Sequence, residues 1–469
     1  IELTTSTRHG AHGGSVRMRR NLSQMNWEYY NDVAHEYFST TECNTYDLFV
    51  DAIDSVQDTV LPQRASTNYH RNPSPWWNVN IQILIREKNR LYRRYKRTRF
   101  SEYLQLYREM RAECVRIVKQ SKANYWSHFA SKINFSDGPK NTWKKIRQCS
   151  GSFVGAHRRR ITLRHGENII DQTDMVVELF ADQYSARSTN PNHGLAAVTP
   201  VDGNDTLNMN LPFELTELEL ALRHTKNAAP GSDQIHYEHL KRLPQNAKQA
   251  LLRIYNDIWL NGTYPIEWNM TTIVPIRKPN KDAHLIDSYR PIAKTSCISK
   301  TMERMVNNRL SCTLMEKLSK YQFAYKCGMG IDEYHMILND YIDHQLNEPM
   351  RVVLMASLDI KQAFDKTSHT VVLNKMVNQN LNGHLLKYIA NFLKHRKIRV
   401  QIGDSYSSYR SINVGLPQGS ALSPTLFNIA TNDLEDVKRF PDSLIIRYAD
   451  DIVILVGSTN VGYAEDRLR

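Results

Sequence analysis

The stretch Leu444-Ile445-Ile446-Arg447-Tyr448-Ala449-Asp450-Asp451-Ile452-Val453-Ile454-Leu455-Val456 constrains this chain more than any other. Two apolar, β-rich runs flank Ala449-Asp450-Asp451, so the spacing predicts a hairpin with two adjacent carboxylates at its tip. Turns accept Asp readily, and a plain hairpin is the simplest reading. Neither run alternates apolar with polar, however, which predicts two buried strands. Two carboxylates about 4 Å apart repel by roughly 4 kcal/mol at an effective dielectric near 20. A divalent cation removes that cost, and an oxygen-only donor set suits Mg²⁺ or Mn²⁺ better than zinc. A second run, Val352–Leu358, ends on Asp359, which could equally cap a following helix. If this run pairs beside the hairpin, Asp359 meets Asp450 across the sheet. Two such carboxylates can hold two ions about 3.5–4 Å apart, the separation used for in-line phosphoryl transfer.

Positive charge is concentrated in one segment. The chain of 469 residues carries +13, but residues 86–160 hold 21 basic and 5 acidic residues, a net of +16, leaving −3 elsewhere. The same segment contains Tyr92, Tyr95, Tyr103, Tyr107, Tyr125, Trp126 and Trp143. Such a surface suits a polyanion, with Arg93, Arg94, Lys96 and Arg97 as the first candidates for phosphate contacts. A solvated helical face is the plainer alternative. A content of 41% hydrophobic and 23% charged residues excludes a disordered or coiled-coil chain. No uncharged apolar run reaches 18 residues, so no membrane partner is expected, and no secretory signal opens the chain. The six cysteines form no CxxC pair, which argues against a disulfide scaffold or zinc site. A first residue of Ile rather than Met implies a piece of a longer chain.

Along the sequence, residues 1–75 are polar and irregular and read as a tether after a missing upstream domain. Residues 76–184 form a basic helical spacer, with helices expected over Trp76–Thr98 and Glu102–Ile133. Residues 185–211 read as a linker. A helix follows, with Thr216 and Glu219 as its capping box. Cys297–Leu310 and Thr370–Leu393 look helical, whereas Thr271–Ile276 and Val352–Leu358 look like strands. The mixture predicts an α+β core after residue 210.

Three boxes then occur in order between residues 358 and 451. Tyr448-Ala449-Asp450-Asp451 resembles the YxDD box of reverse transcriptases. Leu358-Asp359-Ile360-Lys361-Gln362-Ala363-Phe364-Asp365 resembles their first carboxylate motif in its non-LTR form, and Gly415-Leu416-Pro417-Gln418-Gly419-Ser420 the loop between them. Ile276–Lys281 and Ser288–Ile292 are similar to the fingers motifs of non-LTR retrotransposon (jockey- or LINE-like) polymerases. Ala229-Pro230-Gly231-Ser232-Asp233-Gln234-Ile235 is similar to the segment that starts this polymerase region.

This resemblance implies a right-hand polymerase: a fingers-like part over 212–345 and a palm over 346–469, with no room for the thumb after Asp451. It implies an RNA-directed DNA polymerase, a nucleotidyltransferase adding deoxynucleoside triphosphates to a DNA 3′ end with two Mg²⁺ or Mn²⁺ ions. Asp359, Asp450 and Asp451 would be the catalytic metal ligands, Asp451 the weaker because neighbouring residues point in different directions. Arg290, Lys281 and Lys278 would grip the triphosphate. Phe364 would lie under the sugar, and Gln418 and Gly419 would face the nucleotide or template, the glycines letting backbone approach closely. Asp365 would cap a helix. Partners would be an RNA template and a DNA primer or target, with an endonuclease on the same polyprotein. The family acts in the nucleus and in cytoplasmic ribonucleoprotein. The segment Gln322–Ile331 departs from the family's Gln-x-Gly-Phe-Arg pattern, which weakens the expectation of template gripping there. A non-catalytic nucleic-acid-binding remnant and an intron maturase stay open as alternatives.

Overall fold

In the computed structural model, residues 22, 25–61, 76, 78–98, 100–131, 161–166, 168–190, 209–223, 225–226, 228–434 and 442–469 are described. Residues 25–61 are folded. Asn26 accepts from the Glu28 and Tyr29 amides and starts α1, Trp27–Thr40; Thr45 accepts from the Leu48 amide and starts α2, Tyr46–Val60. Tyr30, Ala34, Phe49, Ile53 and Val56 are all buried in the largest core. The expected tether therefore does not extend through residues 27–60, because its few apolar residues recur at helical spacing and find a partner surface.

Residues 64–159 form a compact unit of their own. Its described part is a pair of packed helices, α3 (Val79–Thr98) and α4 (Ser101–Ser131), close to the two expected. Residues 132–160, including Trp143, lie outside the described residues.

The other unit comprises residues 1–63 and 160–469. The two-stranded β1–β2 (Leu163–His165, Asn168–Ile170) leads to α5, Thr173–Arg187. Val176, Val177, Phe180, Ala181 and Tyr184 of α5 are buried with Ile273, Tyr289, Ile398 and Val400. Arg410 pairs with Glu178 and Asp182 on its exposed side. Residues 161–184 thus fold with this unit rather than with the basic helices, and the expected linker begins inside α5; its stretch 191–208 lies outside the described residues.

A short helix, Leu215–Arg223, is preceded by Glu214, whose amide donates to Glu217 Oε2 at 2.9 Å. The expected Thr216–Glu219 box is displaced by two residues, because an acid two positions earlier takes the capping place. α6 (Gln245–Asn261) follows, then strands β3 (Met270–Arg277) and β4 (Tyr289–Lys294). α7, Cys297–Leu314, is capped by Ser296 and buried nearly all round. α8 (Ile331–Leu346) precedes β5 (Val352–Asp359). After the short α9, Ala363–Lys366, the expected helix over 370–393 is two, α10 (His369–Asn378) and α11 (Gly383–Leu393). Asn380, at φ 58°, breaks the run by taking a left-handed conformation that Asn tolerates. Strands β6 (Lys397–Ile402), β7 (Ser405–Tyr406) and β8 (Arg410–Ser411), helix α12 (Ser423–Ala430), and strands β9 (Ser443–Tyr448) and β10 (Asp451–Ser458) complete the core before a last helix, Val461–Leu468.

Two sheets carry the site. One has the order β4-β3-β6-β7, with β8 also on β6 and β3 parallel to β6. Its strands come from both sides of residue 345, so the expected fingers–palm boundary does not divide the sheets. The other is β5-β10-β9, antiparallel throughout. Its central strand and β9 are largely buried, as the unbroken apolar runs predicted, with Ile446, Val453 and Leu455 packed on Phe323 and Tyr334. β5 is an edge strand, and Met355 and Leu358 lie half or more exposed. No described helix is long and apolar enough to cross a membrane.

Candidate active site

The acids gather at one end of the three-stranded sheet. Tyr448 pairs with Asp451 to close the hairpin, leaving Ala449 and Asp450 as a two-residue tip. Ala449 has φ 60°, a left-handed value that a tight hairpin demands and that Ala adopts at a cost of about 1 kcal/mol. On the other side Asp451 is the register partner of Asp359. The expected cross-sheet partner of Asp359, Asp450, is thus replaced by Asp451. The short turn places Asp450 at the tip, beyond the ladder, while its carbonyl accepts from the Ile360 amide at 3.3 Å. Residues directly opposed in an antiparallel pair share a face, so Asp359 and Asp451 project together. Asp450 is half-buried beside them. Burial, then the charges of Asp451 and Asp359, push its carboxyl above the usual range.

Beside the acids lies the Gly415–Ser420 loop, held from several directions. The Gly415 and Leu416 amides donate to the carbonyls of Thr367 (2.8 Å) and Phe364 (2.7 Å). The Gly415 carbonyl lies 2.7 Å from Nε2 of the buried His369. The Ala293 amide donates to the Gln418 carbonyl at 2.8 Å, tying the loop to β4. Glu303, buried on α7, accepts from Ser420 Oγ (2.5 Å), the Ala421 amide (2.8 Å) and Ser299 Oγ (3.1 Å). Gly415 sits at φ 91°, and a β-carbon there would come within 2.5 Å of the Asp365 carbonyl. This is the position where glycine is required.

The remaining expected residues divide clearly. Gln418 Nε2 donates to Asp365 at 2.8 Å, so Asp365 orients a glutamine rather than capping a helix. Burial raises the Asp365 carboxyl, offset by the Gln418 hydrogen bond and by the charges of Arg187 and Lys278. Lys278 is thereby grouped with Asp365 and Gln418. Lys281 and Arg290 lie exposed in the β3–β4 loop and on β4, and Gly419 is exposed in its loop. Phe364 is half-buried, stacked on Phe427 with ring centres 5.0 Å apart, and edge-on to Tyr325 at 6.3 Å. Asp233 of the Ala229–Ile235 segment is buried, accepting from Tyr46 and from the Ile235 amide, a structural role. In the separate basic unit, Arg93, Arg94, Lys96 and Arg97 are exposed on α3, with Arg94 over Tyr103 and Lys96 over Tyr92.

Sequence reasoning passed over His369 and Glu303, and it read Gln322 and Tyr325 only as part of a segment that departs from the family pattern. Glu303 had a signal: it is the single acid of α7, set among Met302, Met305 and Val306, and an acid that is buried there has to find donors. Tyr325 has about half its surface exposed, and the partial burial of its ring and hydroxyl, followed by the charge of Asp450, raises its hydroxyl pKa. Among the described residues no three carboxylate, thiol or imidazole side chains are already drawn into metal-ligand geometry. The donor chemistry nevertheless fits a hard cation: three oxygen-bearing acids at one sheet end, one of them held back from ionising by burial and then by the charges of the other two.

Residues 276–465 match the family model described as reverse transcriptase (RNA-dependent DNA polymerase), which spans all three boxes and the β3–β4 hairpin from Ile276 on. The chain carries a reverse transcriptase domain. An RNA-directed DNA polymerase from mobile element jockey of Drosophila melanogaster is 32% identical over 54% of this chain and 29% of its own length. Its counterpart from Drosophila funebris is 27% identical over 89% of this chain and 48% of its own. Among solved structures, apo telomerase from Candida tropicalis truncated from its C-terminal domain matches at a TM-score of 0.33 and 13% identity, over 44% of this chain and 46% of that one. The chain spans less than half of the jockey relatives. The reverse transcriptase domain thus contains every acid of the candidate site, within an α+β fold whose resemblance to non-LTR retrotransposon polymerases extends over most of the chain.

Proposed function

We propose that the chain is the polymerase part of a non-LTR retrotransposon protein, copying an RNA template by adding deoxynucleotides to a DNA 3′ end. The observation that carries this reading is the register of β5 against β10, which sets Asp359 opposite Asp451 with Asp450 at the adjoining tip. Asp359 and Asp451, which share a face, together with Asp450 at the tip would hold two Mg²⁺ or Mn²⁺ ions, supplying activation of the 3′-hydroxyl and charge stabilisation at the leaving pyrophosphate. The chain's own residues do the rest. Arg290, Lys281 and Lys278 supply cations for the triphosphate. The Phe364 ring, backed by Phe427, offers a wall for the sugar that leaves little room for a 2′-hydroxyl. Gln418, its side chain held by Asp365 and its carbonyl by the Ala293 amide, would help place the loop against template or nucleotide. The exposed basic residues of α3 bind phosphates of RNA or primer–template, and an endonuclease belongs to the same polyprotein.

Primer extension tests this on an RNA template with Mg²⁺, using the chain alone and within its longer parent. Extension is expected, and Asp359→Asn should abolish it while RNA binding survives. No extension in either form, or full activity of Asp359→Asn, would reject the assignment.

A further inference from the structure

The turn that carries Asp450 is held by a side chain from 127 residues earlier. Gln322 is 1% exposed. Its Nε2 donates to the Ala449 carbonyl at 3.3 Å, and its Oε1 accepts from the Ala449 amide at 3.2 Å and from the Ala324 amide at 3.1 Å. Only one orientation of the amide satisfies these three hydrogen bonds, since the side chain accepts in two and donates in one. The segment around it is itself fastened to β9. The Arg447 amide donates to the Tyr321 carbonyl at 2.8 Å, and the Phe323 amide to the Arg447 carbonyl at 3.0 Å.

Two features of Ala449 make this grip consequential. It is a non-glycine residue at φ 60°, so the turn conformation needs support from outside the hairpin. Its carbonyl also belongs to the same peptide plane as the amide of Asp450. Fixing that carbonyl fixes the plane from which the Asp450 Cα and carboxylate project. A two-residue tip without this support would keep its strand pairing, since Tyr448 and Asp451 still close the ladder, but Asp450 would no longer point in a defined direction.

We propose that Gln322 is a positioning residue whose side-chain amide sets the Asp450 carboxylate for divalent-cation binding. The proposal rests on the polymerase reading and deepens it. It predicts that cation affinity, rather than nucleic-acid binding or fold, is what Gln322 controls.

The test compares the full parent protein with Gln322→Met, which keeps the side-chain length without the amide, and Gln322→Asn, which keeps the amide but falls one methylene short. Mn²⁺ binding is read from the free-ion electron paramagnetic resonance signal, with Asp450→Asn marking the part that depends on this site. Melting curves report the folded fraction. Both Gln322 variants should bind Mn²⁺ roughly tenfold more weakly, in line with the loss of a residue that orients a metal ligand. The Mg²⁺ concentration for half-maximal extension should rise by the same factor, with primer–template affinity unchanged and the rate recovering at high Mg²⁺. Unchanged Mn²⁺ affinity per folded molecule overturns the proposal, even if the folded fraction falls. So does normal affinity in Gln322→Asn, because reach is what the geometry requires. A parent protein that shows neither Asp450-dependent Mn²⁺ binding nor extension would sink the polymerase reading itself, and this proposal with it.

Discussion

Removing one of the three clustered charges should make the metal-free protein more stable and inactive at once. Asp450 is half-buried, and its carboxyl is raised by burial and by Asp451 and Asp359. Asp450 sits at the tip beside this pair rather than opposite either acid, and a spacing of about 5 Å, that of side chains on adjoining strands, sets the scale. At an effective dielectric of about 60, fitting a site open to water on one side, each like-charge pair costs about 1 kcal/mol. Screening of the exposed Asp451 and Asp359 brings the sum to about 1–2 kcal/mol. Asp450→Asn should therefore melt a few degrees higher in EDTA, about 2–4 °C. Mg²⁺ should invert the order. At a hundred times its dissociation constant a ligand stabilises by about 2.7 kcal/mol, a gain the parent has and the variant largely lacks. Extension should fall at least a hundredfold, since metal stabilisation of the transition state amounts to several kcal/mol. The pH dependence has a definite sign. A raised carboxyl pKa means that the folded state holds the proton more tightly than the unfolded one, so parent stability falls as pH rises from the ordinary Asp value near 3.9 through the raised value. The advantage of Asp450→Asn should be full at neutral pH and shrink on acidification through that window. Differential scanning calorimetry with EDTA and with Mg²⁺ measures all of this. A variant less stable than its parent in EDTA, or equal stabilisation of both by Mg²⁺, would refute the reasoning.

Other consequences follow from the loop and the basic helices. Gly415→Ala combines a left-handed φ with a clash against the Asp365 backbone that no rotamer relieves; a destabilisation of about 2–4 kcal/mol in urea unfolding is expected, with a raised KM for nucleotide in whatever remains folded. Glu303→Ala strands the Ser420 hydroxyl and the Ala421 amide and should cost about 2–4 kcal/mol, whereas Glu303→Gln, which keeps an acceptor, should cost less than half of that in the same assay. Neutralising Arg93, Arg94, Lys96 and Arg97 should weaken RNA binding and make its salt dependence shallower by about 0.7–0.9 for each phosphate no longer neutralised, as read by titration at several ionic strengths. An unchanged slope would return these residues to a solvated face.

Much of the site was legible from local pattern. Unbroken apolar runs around Ala449-Asp450-Asp451 gave the hairpin, because burial leaves a signature within one strand, whereas the run before Asp359 marked its neighbour by β propensity alone, since that edge strand is not buried. Less was legible where the partner is distant. Residues 27–60 looked like a tether since their few apolar side chains gain meaning only against the core they join. The helix expected over 370–393 broke at Asn380, where backbone conformation rather than periodicity decides.

The order of side chains along the chain determined which chemistry was possible: oxygen donors at the ends of β-rich runs, a glycine-flanked loop between them, and a block of cations set apart. Tertiary structure decided which groups meet. Asp359 faces Asp451 rather than Asp450 because a two-residue turn shifts the register. Glu303 and Gln322 act on the loop and on the turn from more than a hundred residues away. Hydrogen bonds depend on position to a few tenths of an ångström, and no periodicity in a sequence encodes a distance between segments that only folding brings together.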